Sequence, residues 1–258
     1  MNPFNGPEST VNSDYTTAVT NVQASGVSVI GYVRTNYSNR AIADVMTDID
    51  TYYSQYPING IFLDETSTDV AKLDYYKQAA DYVYAKGPSN TVTLNPGQTT
   101  AEEYISIANS TVTFENSMDR YVNHWVAPSY MDSYPSHKFV HMIYAVETEE
   151  DLEQVARLSH ERNAGYVFIT EDLYPNPYDI IPKYINEEAA MLGTCDYSTS
   201  SSSEKALSDG AIAGIVIGGV AFVCIVAAAV YYVVFAGSSG STASKGKREL
   251  VSPGDTNA

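Results

Sequence analysis

Short apolar runs rich in β-branched and aromatic residues recur along the first 170 positions of the chain, and stretches with helical spacing separate them. The runs are Val27–Val33 (VSVIGYV), Ile58–Leu63 (INGIFL), Thr91–Leu94 (TVTL), Val112–Phe114 (VTF), Phe139–Tyr144 (FVHMIY) and Tyr166–Thr170 (YVFIT). Helices are expected at about Ser13–Ala24, Arg40–Tyr53, Thr68–Ala85, Thr100–Ala108, Thr148–Arg162 and Ile180–Leu192. Strands that alternate with helices of this length imply parallel βαβ units. Because the runs are continuously apolar, both faces of the sheet should be buried. Ser13 and Thr148 are the expected helix N-caps, Thr148 with Asp151 three residues on, and Ser67 and Thr68 are expected to cap the helix after the second run. The linker after Phe114 is less regular.

Six strands, each followed by a helical or irregular segment, predict a (β/α)8 TIM-type barrel that lacks its front, since such barrels typically need about 250 residues. The expected domain spans residues 1–194. Residues 195–210 are Ser-rich and read as a stalk. Residues 211–236 run for 26 positions without a charge, long enough to cross a bilayer as a helix. Lys245, Lys247 and Arg248 follow that span, so the tail 237–258 is expected in the cytoplasm and the domain outside the cell, in a single-pass membrane protein. Gly210, Gly214 and Gly218 form a small-residue ridge that could pair two such helices in a homodimer. The opening MNPFNGPEST has neither a basic start nor an apolar core, so no secretory signal is visible, and either the membrane span acts alone as the signal or the N-terminus is incomplete. Asn36 (NYS) and Asn109 (NST) are glycosylation acceptors, consistent with an extracellular location.

Charge narrows the partners. Fourteen basic residues against 31 acidic ones give a net charge of −17, which repels phosphate backbones and makes nucleic acid an improbable partner. Such a surface suits a neutral or cationic ligand. The two cysteines, Cys195 and Cys224, cannot build a metal cluster, and the four histidines have no zinc-ligand spacing, so neither metal nor cofactor is expected. Cys224 lies in the expected membrane span and Cys195 outside it, which leaves Cys195 without a partner in this chain. The 22 tyrosines suit sugar stacking but are also ordinary half-buried residues.

Ligands of parallel α/β sheets bind beyond the carboxyl ends of the strands. Those ends carry, in order, Tyr32 and Arg34, the pair Asp64-Glu65, Asn95 in LNPG, Glu115 in FENS, His141 within FVHMIY, and Glu171-Asp172 in ITED. Carboxylates converging over a barrel mouth are the arrangement used for glycoside hydrolysis, one protonated and another ionised. An acid just past a strand more often only caps a helix or solvates a loop. Asp64-Glu65 and Glu115 end their runs without a turn signal and are the stronger candidates. Glu171-Asp172 leads into a rigid turn, LYPNPYD, and is weaker. His141 is as readily a core histidine as a sugar contact, and Asn95 could be simple turn chemistry.

The ordered strings INGIFLDE, TVTLNPG, TVTFENS and YVFITED, with PNPYD nearby, resemble the spherulin-4 family over roughly residues 1 to 190. The resemblance implies a (β/α)8 barrel. NPFNGP then looks like the end of the family's second strand, and a cysteine upstream of this chain could partner Cys195. Some members form glycoside hydrolase family 135, endo-acting on α-1,4-linked N-acetylgalactosamine in the exopolysaccharide galactosaminogalactan. The adjacent Asp-Glu pair and later Glu essential in that family fall on Asp64, Glu65 and Glu115, with Glu171 as the fallback for the last. The function expected is a cell-surface glycoside hydrolase with Tyr32, Asn95 and His141 contacting the polysaccharide substrate. The alternative is a membrane-anchored protein that binds polysaccharide without cutting it.

Overall fold

In the computed structural model, which describes residues 1–3 and 5–193, six parallel strands pair in strict sequence order. They are β1 (Ile30–Arg34), β2 (Gly60–Asp64), β3 (Thr91–Asn95), β4 (Ser110–Ser117), β5 (Phe139–Tyr144) and β6 (Tyr166–Ile169). The α-helices are α1 (Ser13–Ala24), α2 (Ile42–Gln55), α3 (Leu73–Tyr84), α4 (Met118–Asn123), α5 (Glu149–Glu161) and α6 (Ile185–Gly193). Six parallel strands in sequential order with intervening helices form an α/β sheet consistent with part of a TIM-like barrel among the described residues. Among the described residues no helix is long and apolar enough to cross a membrane. The expected stalk, membrane span, glycine ridge, tail and both cysteines lie outside the described residues.

Alternation along each strand sends side chains to two different cores. On the helix side, Val33, Ile61, Leu63, Val92 and Leu94 pack beneath Val45, Ile49, Tyr52, Tyr76 and Val83 of α2 and α3. Phe114, Ile143, Val167 and Ile169 pack beneath Tyr121, Leu152 and Val155 of α4 and α5. The inner face carries a smaller cluster of Val112, Val140, Met142 and Phe168, with Phe62, Tyr166 and Tyr178 against it. Gly31 shows how closely the helix layer lies: a Cβ there would sit 2.7 Å from the Tyr52 ring.

Several expected elements shift. Asn12, not Ser13, caps α1, its Oδ1 accepting from the Asp14 N–H at 2.9 Å. The segment after β2 opens as a 3-10 turn (Val70–Lys72) capped by Asp69, not by Ser67 or Thr68, and becomes α3 only at Leu73. The helix expected over 100–108 is only a 3-10 turn, Glu102–Ser106, which Lys138 Nζ terminates by donating to the carbonyls of Ile105 and Ala108 at 3.2 and 2.6 Å. The last helix starts at Ile185, because PNPYDIIP, with three prolines, first makes a long loop. Thr148 does cap α5: its hydroxyl accepts from the Asp151 N–H at 3.1 Å and donates to the Asp151 carboxylate at 2.7 Å.

Candidate active site

The inner face ends in polar groups at the C-terminal side of β1 to β4. In the register, Arg34 stands beside Asp64 and Asp64 beside Asn95. The next acid on this face, Glu115, is there only because of an irregularity in β4. The β4–β5 register slips between Val112 and Phe114, so Thr113 is an extra residue. Val112 packs in the inner cluster and Phe114 in the helix-side core, although strict alternation would put both on one face. The bulge therefore inverts the side-chain parity and turns Glu115 inward, where the unbroken pattern would have pointed it at the helices.

Asn95 joins the two acids. Its Nδ2 donates to Asp64 Oδ1 at 2.8 Å and to Glu115 Oε2 at 2.9 Å. Both carboxylate oxygens lie within one hydrogen bond of the same nitrogen, so they are no more than about 6 Å apart. The Asn95 amide is itself aimed by Gly97, whose N–H donates to Asn95 Oδ1 at 2.8 Å. Gly97 adopts φ +65°, and its carbonyl accepts from the Glu115 N–H at 3.1 Å. A Cβ on Gly97 would lie 3.4 Å from Glu115 Oε2, so the turn also needs a residue without a side chain. The NPG string is thus both turn chemistry and site construction.

Glu65, the first residue past β2, sits in the left-handed region at φ +51°, unusual for a non-glycine residue. Its turn is held from three sides. The Thr35 N–H donates to the Asp64 carbonyl at 2.9 Å, and the Thr35 hydroxyl lies 2.8 Å from the carbonyls of both Asp64 and Glu65. The Tyr37 N–H donates to the Glu65 carbonyl at 2.7 Å, and the Ser67 N–H donates to the buried Tyr76 hydroxyl at 2.7 Å. Strain of this kind persists where neighbours over-determine it, and it gathers at functional sites. The Glu65 carboxylate pairs with Arg34, Nε to Oε2 at 2.8 Å.

The electrostatics separate the acids. Burial pushes the Asp64 carboxyl above its ordinary range and the neighbouring Glu65 charge adds to the rise, opposed by hydrogen bonds from the Tyr32 hydroxyl (2.6 Å to Oδ2), the Glu65 N–H and Asn95. Burial likewise raises Glu115, opposed by Asn95 and by the hydroxyl of Tyr178, and the negative charge of Asp64 adds to the rise. Tyr32 and Tyr178 are themselves pushed up, first by burial and then by these carboxylates, so both remain protonated donors. Three donors converge on Asp64 and two on Glu115, which favours the charge on Asp64 and the proton on Glu115.

The structure thus gathers Tyr32, Asp64, Glu65, Asn95 and Glu115 at one mouth. His141 is not with them. It is fully buried at 0% exposure on the helix side of β5, its Nδ1 2.8 Å from the Tyr121 hydroxyl and its ring edge-on to Trp125 at 5.0 Å. A sugar cannot reach it there, and burial, aided by the Arg162 cation, lowers its pKa to about 3. Glu171 is a loop tie, accepting from the Lys183 N–H at 3.0 Å. Of the two glycosylation acceptors, Asn36 lies at the mouth, its Oδ1 accepting from Arg34 Nη2 at 3.4 Å. Asn109 lies at the opposite end of the sheet, its Oδ1 accepting from the Val92 N–H at 2.8 Å and the Tyr84 hydroxyl at 3.0 Å. Tyr178 is the member that sequence reasoning overlooked. It arrives from the β6–α6 loop, its ring 5.8 Å from that of Phe168, and only the PNPYD turn hinted at a shaped segment there.

The fold and mouth define a class: a parallel α/β domain whose carboxylates, bridged by one amide, face inward at the C-terminal ends of consecutive strands. The sequence model of spherulation-specific family 4 matches residues 1–192, and the chain belongs to that family. Spherulin-4 of Physarum polycephalum is 32% identical over 201 residues, covering 74% of this chain, and the chain spans 60% of that relative's length. The crystal structure of Aspergillus clavatus Sph3 in complex with GalNAc is similar with a TM-score of 0.63 at 26% identity, covering 74% of this chain and 83% of that one.

Proposed function

We propose that this chain is a glycoside hydrolase that cleaves a galactosamine-containing polysaccharide. The observation that carries the reading is the Asp64–Asn95–Glu115 bridge, which holds two carboxyls with opposed charge preferences about 6 Å or less apart in a half-buried mouth. Glu115 is the proposed acid that protonates the leaving oxygen. Asp64 is the proposed ionised partner, acting on the sugar from the other side, and Glu65, fixed by Arg34, supplies further negative charge to the oxocarbenium-like transition state. A separation of this size falls in the range of retaining enzymes, where one carboxylate attacks directly, rather than the wider range that admits a water between them. Support for the sugar comes from the likeness to a GalNAc-bound protein. The uncharged span 211–236 supports action at the cell surface, with the domain outside.

The test is release of reducing ends from galactosaminogalactan by the native chain and by Asp64→Asn and Glu115→Gln. Loss of the general acid in Glu115→Gln should cost on the order of 10²–10⁴ in rate, and loss of the ionised partner in Asp64→Asn at least as much. Equal release by all three proteins would remove the assignment. Binding without release by the native chain would instead favour a polysaccharide-binding protein. The anomer first formed, read by proton NMR, should keep the configuration of the substrate.

A further inference from the structure

Many tyrosines of the described residues are buried in the cores or held against partners, but Tyr37 and Tyr174 are 55% and 78% exposed. Each stands on a loop leaving the C-terminal end of a strand, Tyr37 just past β1 and Tyr174 just past β6. These strands are the two ends of the described sheet, and Asp64, Asn95 and Glu115 lie on strands between them. Both loops are tied to the acids. The Tyr37 N–H donates to the Glu65 carbonyl at 2.7 Å, while Tyr174 shares its loop with Tyr178, whose hydroxyl binds Glu115. Lys183 fastens the far end of that loop, its N–H on Glu171 and its Nζ on the Glu147 carbonyl at 2.9 Å.

The backbone around Tyr37 makes its exposure hard to dismiss as an idle surface position. Asn36, Tyr37 and Ser38 adopt φ of 49°, 54° and 67°, three successive non-glycine residues in the left-handed region. Each costs on the order of 1 kcal/mol or more there. The turn leaves the Tyr37 ring in solvent. Leu173, 55% exposed, extends the apolar surface beside Tyr174. A flat, rigid aromatic face with little conformational entropy to lose is the group that packs against the apolar face of a pyranose ring.

We propose that Tyr37 and Tyr174 are stacking platforms for one glycan chain laid across the Asp64–Glu115 mouth, with a sugar unit held on each side of the linkage between the acids. The ligand is then an oligosaccharide or polymer long enough to reach both rings, not a single sugar. The glycan is the occupant because the two rings are separate and have the carboxylate-lined mouth between them, whereas a protein partner would need a contiguous apolar patch. A net charge of −17 disfavours polyanions and admits neutral or amine-bearing sugars. The inference rests on the glycan reading of the site, and its test separates the two.

Calorimetric binding is measured on the full chain carrying Glu115→Gln, with N-acetylgalactosamine itself and with galactosamine oligosaccharides of increasing length. Affinity should climb with length. Tyr37→Ala and Tyr174→Ala should each weaken the longest oligosaccharide about tenfold and leave the monosaccharide unchanged, and Tyr174→Trp should restore the parent affinity. An unaltered affinity for the long ligand, an equal loss on the monosaccharide, or no binding at any length would overturn the proposal. If the native chain releases no product while these losses appear, the hydrolase reading falls and the platforms stand. If hydrolysis is complete while the affinities are unaltered, the platforms fall and the hydrolase reading stands.

Discussion

Single hydrogen bonds set the division of labour between the two bridged acids. Tyr32 donates only to Asp64, Tyr178 only to Glu115, and Asn95 to both. Each donor stabilises the ionised form of the carboxyl it touches, so removing it raises that carboxyl's pKa. In a bell-shaped profile of kcat/KM the acid limb reports the group that must be ionised, here Asp64, and the basic limb the group that must be protonated, Glu115. Tyr178→Phe should therefore move the basic limb to higher pH with the acid limb fixed. Tyr32→Phe should move the acid limb upward and leave the basic limb. Loss of Asn95 in Asn95→Ala should shift both limbs upward together and lower the maximum. Because the acids are close enough to titrate as a pair, the limbs are properties of the pair, and the contrast among the three variants is the readout. If Tyr178→Phe moved the acid limb, the roles of Asp64 and Glu115 would have to be exchanged.

At the scale of elements, the turn after β3 and the bulge in β4 do what no single side chain does. Gly97 is held at φ +65° with its carbonyl on the Glu115 N–H. Gly97→Ala adds a strained left-handed residue and a methyl 3.4 Å from Glu115 Oε2, so chemical denaturation should show a loss of about 1–2 kcal/mol, with activity falling more than stability explains. Unchanged activity in a folded Gly97→Ala protein would mean that Asn95 does not depend on this turn for its aim. The contrast with what the sequence disclosed is physical. Strand β5 is predicted to the residue and helix α1 to within its cap, because their apolar periods are uninterrupted and end at clear breaks. The Asp64-Glu65 pair is legible because it directly terminates such a run. The bulge at Thr113 is not: TVTFENS alternates like an ordinary strand, and the extra residue appears only when β5 pairs with it. Glu115 stands out without that parity argument, on its place after an apolar run. His141 misleads for the complementary reason, since a strand buried on both faces gives no sign of which face a polar residue takes. Tyr178 is hidden because a loop residue reaches the site through the path of its chain, and only the tertiary fold sets that path.

For the whole molecule, two buried titratable groups outside the mouth shape stability against pH. Glu188 on α6 is fully buried, its Oε1 accepting from the Ile169 N–H at 3.1 Å on the strand that ends the described sheet. Burial lifts its pKa to about 8 from an ordinary 4.5, with Glu171 adding repulsion. The fold therefore prefers the protonated form. Its favourable contribution is complete below the unfolded pKa of 4.5, declines as pH rises, and is gone above about 8. At about 1.4 kcal/mol per unit, the decline is on the order of 3–5 kcal/mol. His141 acts in the opposite sense: its pKa falls to about 3 from 6.5, so its contribution is complete above 6.5 and drains away toward pH 3. The two slopes overlap and oppose each other between pH 4.5 and 6.5, the ordinary values of the two groups. Differences between proteins isolate each one, because every other titration cancels. Glu188→Gln keeps an acceptor for the Ile169 N–H and cannot ionise. Calorimetric melting of native and variant proteins should give similar Tm values near pH 4.5 and a growing advantage for the variant up to about pH 8. A constant offset across that interval would show that Glu188 is ionised in the fold, and that a second donor compensates its charge.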